Sequence, residues 1–251
     1  MKYMGIDYHK QYFVATTMDE KGKVFRKQRV PTDRAAIRHY FKDACAEQPV
    51  TAVMEAGYGW GGISMMRHGI LSQNCILLIP LRAGARIKTN ETDSETLAHL
   101  LRADLIPRAY SPSFDTRDKK NLLRYRSSLT AIKVQIKNMI HAVLARDHIE
   151  GTQFRSLSDE FCKKGRAYLR TITLRGTDTE VLNQYLDLLE EIETKIKAAE
   201  SRIQAVCQQD EICGLLKTIP GIGDILAVTI RYEIDDIGRF ISGKKLCSYA
   251  G

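Results

Sequence analysis

The sequence predicts an α/β protein: a mixed sheet in its first part, then a long helical region. Three observations carry this. Three short β-prone runs separated by polar turns open the chain. Strand-like and helix-like segments then alternate as far as Pro80. From Leu122 onward, apolar residues recur at steps of three and four.

The first run is Lys2-Tyr3-Met4-Gly5-Ile6-Asp7-Tyr8-His9-Lys10, with one carboxylate, Asp7, inside it. Tyr12 to Thr17 is the second run, Asp19 to Lys23 a turn, and Val24 to Val30 the third. Together they read as an antiparallel meander. An acidic group near a strand end is costly unless it has a partner, and a divalent cation is one such partner. An ordinary strand-end aspartate would leave the same trace.

Thr32-Asp33 has the look of a helix start, and Ala35 to Ala46 carries Ile37, Tyr40, Phe41 and Ala44 at helical spacing. Pro49 to Ala56 reads as a buried strand that ends in a second carboxylate, Glu55. A glycine-rich loop, Gly57 to Gly62, leads to a helix over Ile63 to Gly69. That loop has neither a Walker lysine nor Rossmann spacing. Cys75 to Pro80 is a further buried strand. The order β-β-β-α-β-α-β resembles the ribonuclease H arrangement, in which carboxylates from strand ends meet at one edge.

A basic stretch, Arg82 to Lys88, precedes a helix whose stripe is Leu97, Leu100 and Leu101. Asn90 and Asp93, three apart, share a face near its start. Capping alone would explain charged residues there equally well. Leu105 to Pro112 is an extended strap leaving the domain.

Leu122, Tyr125, Leu129, Ile132, Ile136, Met139 and Val143 then form a heptad seam. Between Arg117 and Arg146 stand eight Lys or Arg and one acid, Asp118. Nucleic-acid contact is therefore assigned to Arg117, Arg124, Arg126, Lys133 and Lys137, with Lys88 upstream. A second seam comprises Leu182, Tyr185, Leu189, Ile192, Ile196, Ala199, Ile203 and Val206, on a helix with acidic outer positions. The two helices can pair within one chain or across a dimer, and a solvated helical stalk would show the same charges. Between them, Glu150 to Thr177 is a basic connector with short helices. Leu216 to Ala227 follows the helix-hairpin-helix pattern: Gly221 and Gly223 permit a tight turn, and free amides at the next helix start can hold a DNA phosphate. A hairpin made only for packing is the alternative. Asp235 to Phe240 then leads to a short helix, Lys244 to Tyr249.

Composition narrows the function classes. The 251 residues suffice for one or two domains with a real core. Thirty-eight Lys and Arg against 30 Asp and Glu leave a net charge of +8, which favours a polyanionic partner. Six cysteines form no CxxC pair and lie at no zinc spacing, so they read as reduced, mostly buried thiols. No signal peptide and no long apolar run is present; the expectation is a soluble, cytoplasmic protein with no membrane partner.

These pieces, in this order, resemble the DEDD transposases of bacterial insertion sequences and the Piv-type DNA invertases. The resemblance runs over essentially the whole chain. It rests on Gly5-Ile6-Asp7, the strand ending at Glu55, Ile87 to Asp93 with Leu97 to Arg102, and Tyr110-Ser111-Pro112. The Arg-rich helix, Ile219 to Gly223, Arg239-Phe240 and Leu246 to Gly251 complete it. It implies a RuvC-like metal-binding domain over 1–112, a coiled-coil insertion over 113–210, and a C-terminal transposase domain with the hairpin from 211 to 251. It further implies four metal-binding acids, Mg²⁺ or Mn²⁺ as cofactor, double-stranded element-end and target DNA as substrate, an element-encoded guide RNA, and a homo-oligomer, dimer or tetramer. By motif match the acids are Asp7, Glu55 and Asp93, with Asn90 at the third position, where an amide offers oxygen without charge.

Clustered carboxylates suit this chemistry because two Mg²⁺ ions about 3.5–4 Å apart can clamp both oxygens of a phosphodiester displacement. The family's nucleophilic serine lies in a Ser-Gly motif beyond a Tyr-Ala-Gly stretch, and the sequence ends with that stretch at Gly251. The expectation is thus a truncated copy with poor or no strand exchange, and no nucleophile is assigned; Ser242 and Ser248 stand before the motif. Two alternatives stay open: a DNA- or RNA-binding protein on an inactive transposase scaffold, and an actin-like ATPase. The ATPase would want Gly and Thr after the first Asp, where Tyr8-His9-Lys10-Gln11 stands.

Overall fold

A computed structural model describes residues 1–46, 48–54, 75–78, 90–106, 110, 112–149 and 159–250. These divide into two compact units, Met1–Pro112 and Ser113–Gly251.

The first unit is an α/β layer. Its strands are β1 (Lys2–Tyr8), β2 (Tyr12–Met18), β3 (Val24–Pro31), β4 (Val50–Met54) and β5 (Cys75–Leu78), in sheet order β3-β2-β1-β4-β5. The meander is antiparallel, while β1–β4 and β4–β5 are parallel. This mixed sheet is compatible with a ribonuclease H-like domain. The segment 57–69, predicted as glycine loop and helix, lies outside the described residues.

Side chains alternate between the faces of a strand. On one face, Met4, Ile6, Phe13, Ala15 and Val30 form a core with Ile37, Tyr40 and Phe41 of helix α1 (Arg34–Ala44). Asp33 caps α1, accepting from the Ala35 and Ala36 amides. The other face is covered by α2 (Asn90–Arg102): Leu97 and Leu101 pack with Val53 and Tyr3. The approach is close because β1 has glycine at its centre. A β-carbon on Gly5 would collide with the Ser94 carbonyl and lie 2.6 Å from the Ala98 nitrogen. A buried hydrogen bond between Thr16 Oγ1 and Ser94 Oγ, 2.8 Å, fixes the helix further. Of the strap, Ile106 is buried and Tyr110 exposed.

The second unit is helical: α3 (Phe114–Arg146), α4 (Lys163–Leu169), α5 (Asp178–Gln208), α6 (Glu211–Leu216), α7 (Asp224–Ile234) and α8 (Gly243–Ala250). The two long helices pair within the chain and run antiparallel. Arg146 binds Asp178, Lys133 binds Glu193 and Arg126 binds Glu200, so positions that descend on α3 ascend on α5.

The seams differ from the heptad reading. On α3, Leu129, Ile136, Ile140, Val143 and Leu144 are buried, whereas Tyr125, Ile132 and Met139 remain 49, 39 and 39% exposed. A helix facing one main partner buries a broad stripe of the i, i+4, i+7 kind and leaves the other half of a heptad seam at its margin. On α5, Leu186 and Cys207 are buried where Tyr185 and Val206 were expected. A smaller core joins Ile203 and Cys207 to Cys213, Ala227, Val228 and Tyr232. Cys45, Cys207 and Cys213 are buried, Cys162 is half-buried and Cys247 exposed, so most of the described thiols are interior, as expected. No helix among the described residues is long and apolar enough to cross a membrane.

Candidate functional site

Three residues at odd positions of β1, Tyr3, Gly5 and Asp7, belong to the face that α2 covers. Helix α2 crosses Gly5 with Ser94 and Ala98, one turn into its length. Asp93 stands beside Ser94 and so comes to the carboxyl-terminal end of β1, where Asp7 is. Two acids 86 positions apart thereby enter each other's field. The Asp7 side chain is only 14% exposed. Burial pushes its carboxyl above the ordinary value, the charge of Asp93 adds to that, and His9 opposes both.

His9 was not among the residues singled out from sequence. Its Nε2 lies 2.9 Å from Asp7 Oδ2. The signal was present: His9 follows Asp7 by two positions, the spacing that repeats one face of a strand. The meander implied a turn near Lys10-Gln11; what sequence did not show is that this turn, closed by the His9 amide donating to the Tyr12 carbonyl at 2.8 Å, aims the imidazole at Asp7.

Glu55 and Lys88 lie outside the described residues. Asn90 is the first residue of α2, and its side chain is likewise outside them. Among the described residues no group of three His, Cys, Asp or Glu side chains converges on one point. The Asp7–Asp93 pair nevertheless fits a hard divalent cation. Burial, with the charge of Asp93 added, raises the cost of ionising Asp7, and a cation with oxygen ligands removes that cost. Carboxylate oxygens suit Mg²⁺ or Mn²⁺ better than a soft metal.

The basic residues assigned to nucleic acid are placed differently from one another. Arg126 makes two hydrogen bonds to Glu200, at 3.0 and 2.7 Å. Lys133 pairs with Glu193, and Lys137 lies 3.5 Å from Asp159 and over the Phe161 ring. Arg117 is partly buried, which lowers its affinity for the proton, and its Nε donates to the Ser113 carbonyl. Arg124 is exposed. Much of the positive charge on α3 therefore meets the acids of α5 and of the segment before α4.

Gly221 adopts φ +90°, a conformation that favours glycine, and Gly223 caps α7 with extended backbone. A groove of about 770 Å³ opens between α5 and the start of α7. Asp224 sits at that start and is paired with Lys217, which holds its carboxyl below the ordinary range. The helix dipole there already has an internal anion.

Comparison with known proteins adds two family matches and three relatives. The DEDD transposase family of IS110 type matches residues 4–149, and the transposase IS116/IS110/IS902 family matches residues 213–251. A putative transposase, y4qE, of Sinorhizobium fredii is 28% identical over 259 residues, covering 99% of this chain and 62% of that protein. The transposase for insertion sequence element IS1111A of Coxiella burnetii is 24% identical, covering 100% and 68%. A probable family 20 transposase of Pseudomonas aeruginosa is 23% identical, covering 99% and 72%. The chain thus spans between 62 and 72% of the length of these relatives.

Proposed function

Because the chain belongs to the DEDD transposase family of IS110-type insertion sequences, we propose that it serves DNA strand exchange in the movement of such an element. Its first unit would hold the divalent cation. The observation that supports this reading is that the charge of Asp93, on α2, reaches the buried carboxyl of Asp7, on β1.

Asp7 and Asp93 would supply carboxylate oxygens to Mg²⁺ or Mn²⁺, with Glu55 and Asn90 completing the donor set. The bound cation would polarise a DNA phosphate and neutralise charge developing on its oxygens. The protein's part is to bring the donors together: β1 presents Asp7, and α2, seated on Gly5, presents Asp93. Double-stranded DNA of the element ends and of the target would be the substrate. Exposed Arg124, together with Lys88, would contact phosphate. The Gly221–Gly223 hairpin would act as a helix-hairpin-helix element and the α3–α5 pair as a coiled-coil arm. An element-encoded guide RNA and further copies of the chain would complete the assembly. The net charge of +8 supports a polyanionic partner.

Calorimetric titration with Mn²⁺ tests the site. The wild-type chain should take up the ion, and Asp7→Ala and Asp93→Ala should each reduce affinity at least about tenfold while melting remains cooperative. An Asp93→Ala variant that binds Mn²⁺ as the wild type does would overturn the assignment.

A further inference from the structure

The hairpin joining β1 to β2 holds His9 in a defined place. His9 and Tyr12 close the turn through a 2.8 Å backbone hydrogen bond, next to the last registered pair, Tyr8 with Phe13. Residues that face each other across such a turn have neighbouring side chains. The imidazole accordingly lies against the Tyr12 ring, centroids 4.7 Å apart and planes inclined by 44°. Tyr12 in turn carries the Arg29 guanidinium of β3, 3.5 Å from its ring centroid. Three strands thus contribute to the placement of one imidazole. Its Nε2 is aimed at Asp7 Oδ2, 2.9 Å away. An ionised carboxylate only accepts, so with Asp7 ionised the contact takes the tautomer that carries the hydrogen on Nε2.

From this geometry we infer that His9 is a positioning residue for the cation site: it donates Nε2–H to Asp7 Oδ2, locks the carboxylate rotamer, and leaves Oδ1 as the oxygen available to the cation. The inference rests on the metal-site reading above. Its physical basis is that an oriented carboxylate loses less rotamer freedom on binding a cation than a loose one. It also accounts for a histidine at a hairpin tip that is only 33% exposed and rests against the Tyr12 ring.

The test is Mn²⁺ affinity, read by calorimetry and by the electron paramagnetic resonance signal of free Mn²⁺, on the full chain. His9→Ala should weaken Mn²⁺ binding by about 10–100-fold. His9→Gln, whose Nε2 can donate over a similar reach, should recover most of that loss. A thermal melt of each variant checks the fold. If His9→Ala does not fold, His9→Leu, which keeps the bulk without the donor, takes its place beside His9→Gln. Wild-type affinity in the donor-free variant, with Asp7→Ala abolishing binding, would overturn the role of His9 and leave the metal site standing. Equal loss in His9→Gln and the donor-free variant would overturn it as well. A wild-type chain that takes up no Mn²⁺ would overturn the site and the role together.

Discussion

Gly5 of β1 and the backbone carbonyl of Ser94 on α2 are so close that no side chain fits at position 5. The absence of a β-carbon lets the helix rest on the strand, and Asp93, next to Ser94, is brought to Asp7 by that seating. Gly5→Ala should therefore act on two observables at once. Backbone cannot yield as a side-chain tip does, so α2 must lift, at a cost of about 1–3 kcal/mol or more in urea denaturation. Mn²⁺ affinity should fall with it. A Gly5→Ala chain with wild-type stability and wild-type Mn²⁺ affinity would refute the coupling.

Ser94 and Thr16 allow a finer measurement of the same contact. Their hydroxyls share a hydrogen bond with no exposure to solvent. Ser94→Ala removes that partner from Thr16 and should destabilise by about 1–3 kcal/mol. Adding Thr16→Val, which withdraws the second hydroxyl, should restore part of the loss. Strictly additive destabilisation in the double variant would show that the hydroxyls do not act as a pair.

Glu193 sets a pH dependence in the helical unit. It lies 2.8 Å from Lys133 and 2.6 Å from Arg166. Burial alone would raise its pKa, but the two cations outweigh burial and hold it below the ordinary 4.5. A folded-state pKa below the unfolded one stabilises above the unfolded value, and that contribution disappears as pH falls through the folded value. Stability should decline below about pH 4.5. Glu193→Gln should lower stability at neutral pH by about 1–3 kcal/mol and flatten the acid limb of a denaturation series. An unchanged acid limb would contradict the pairing.

The thiols give an inexpensive check on the C-terminal core. Burial, with Asp210 nearby, pushes the Cys213 thiol up to about 12, and burial also raises Cys207. Cys247 on α8 is exposed. Under native conditions Ellman's reagent should modify Cys247 quickly, and Cys207 and Cys213 only as fast as the fold opens. Cys247→Ser should remove the fast phase. A fast phase that survives this change and maps to Cys213 would contradict the packing of α6 against α7.

Arg124 and Lys133 separate DNA contact from stability. Arg124 is exposed, whereas Lys133 is held by Glu193. Arg124→Ala should weaken binding to duplex DNA and reduce the slope of affinity against salt by about 1. Lys133→Ala should act mainly on the melting temperature. A salt slope lowered by Lys133→Ala and untouched by Arg124→Ala would reverse the assignment.

Much of this architecture can be read from residue order alone, and the part that cannot has identifiable causes. The meander shows in its period-two runs and polar turns, and α2 in its leucine stripe. Asp7 stands out as a charge inside an apolar run. His9 does not, because its role depends on a turn that folds the chain back upon Tyr12. Both charge sets of the long helices are visible in the sequence. Which cation meets which anion depends on antiparallel pairing, and so does the choice of Ile136 and Ile140 over Ile132 and Met139 for the buried stripe. Gly5 reads as one glycine among many until the carbonyl of Ser94 is placed above it.

The antiparallel ladder of α3 and α5 also prescribes an order of assembly. Arg146 and Asp178 are 32 residues apart, and Arg126 and Glu200 are 74 apart. The inner rung closes the shorter loop and carries the smaller chain-entropy penalty. Each rung formed shortens the loop the next must close, so chain entropy favours closing the hairpin from its connector outward.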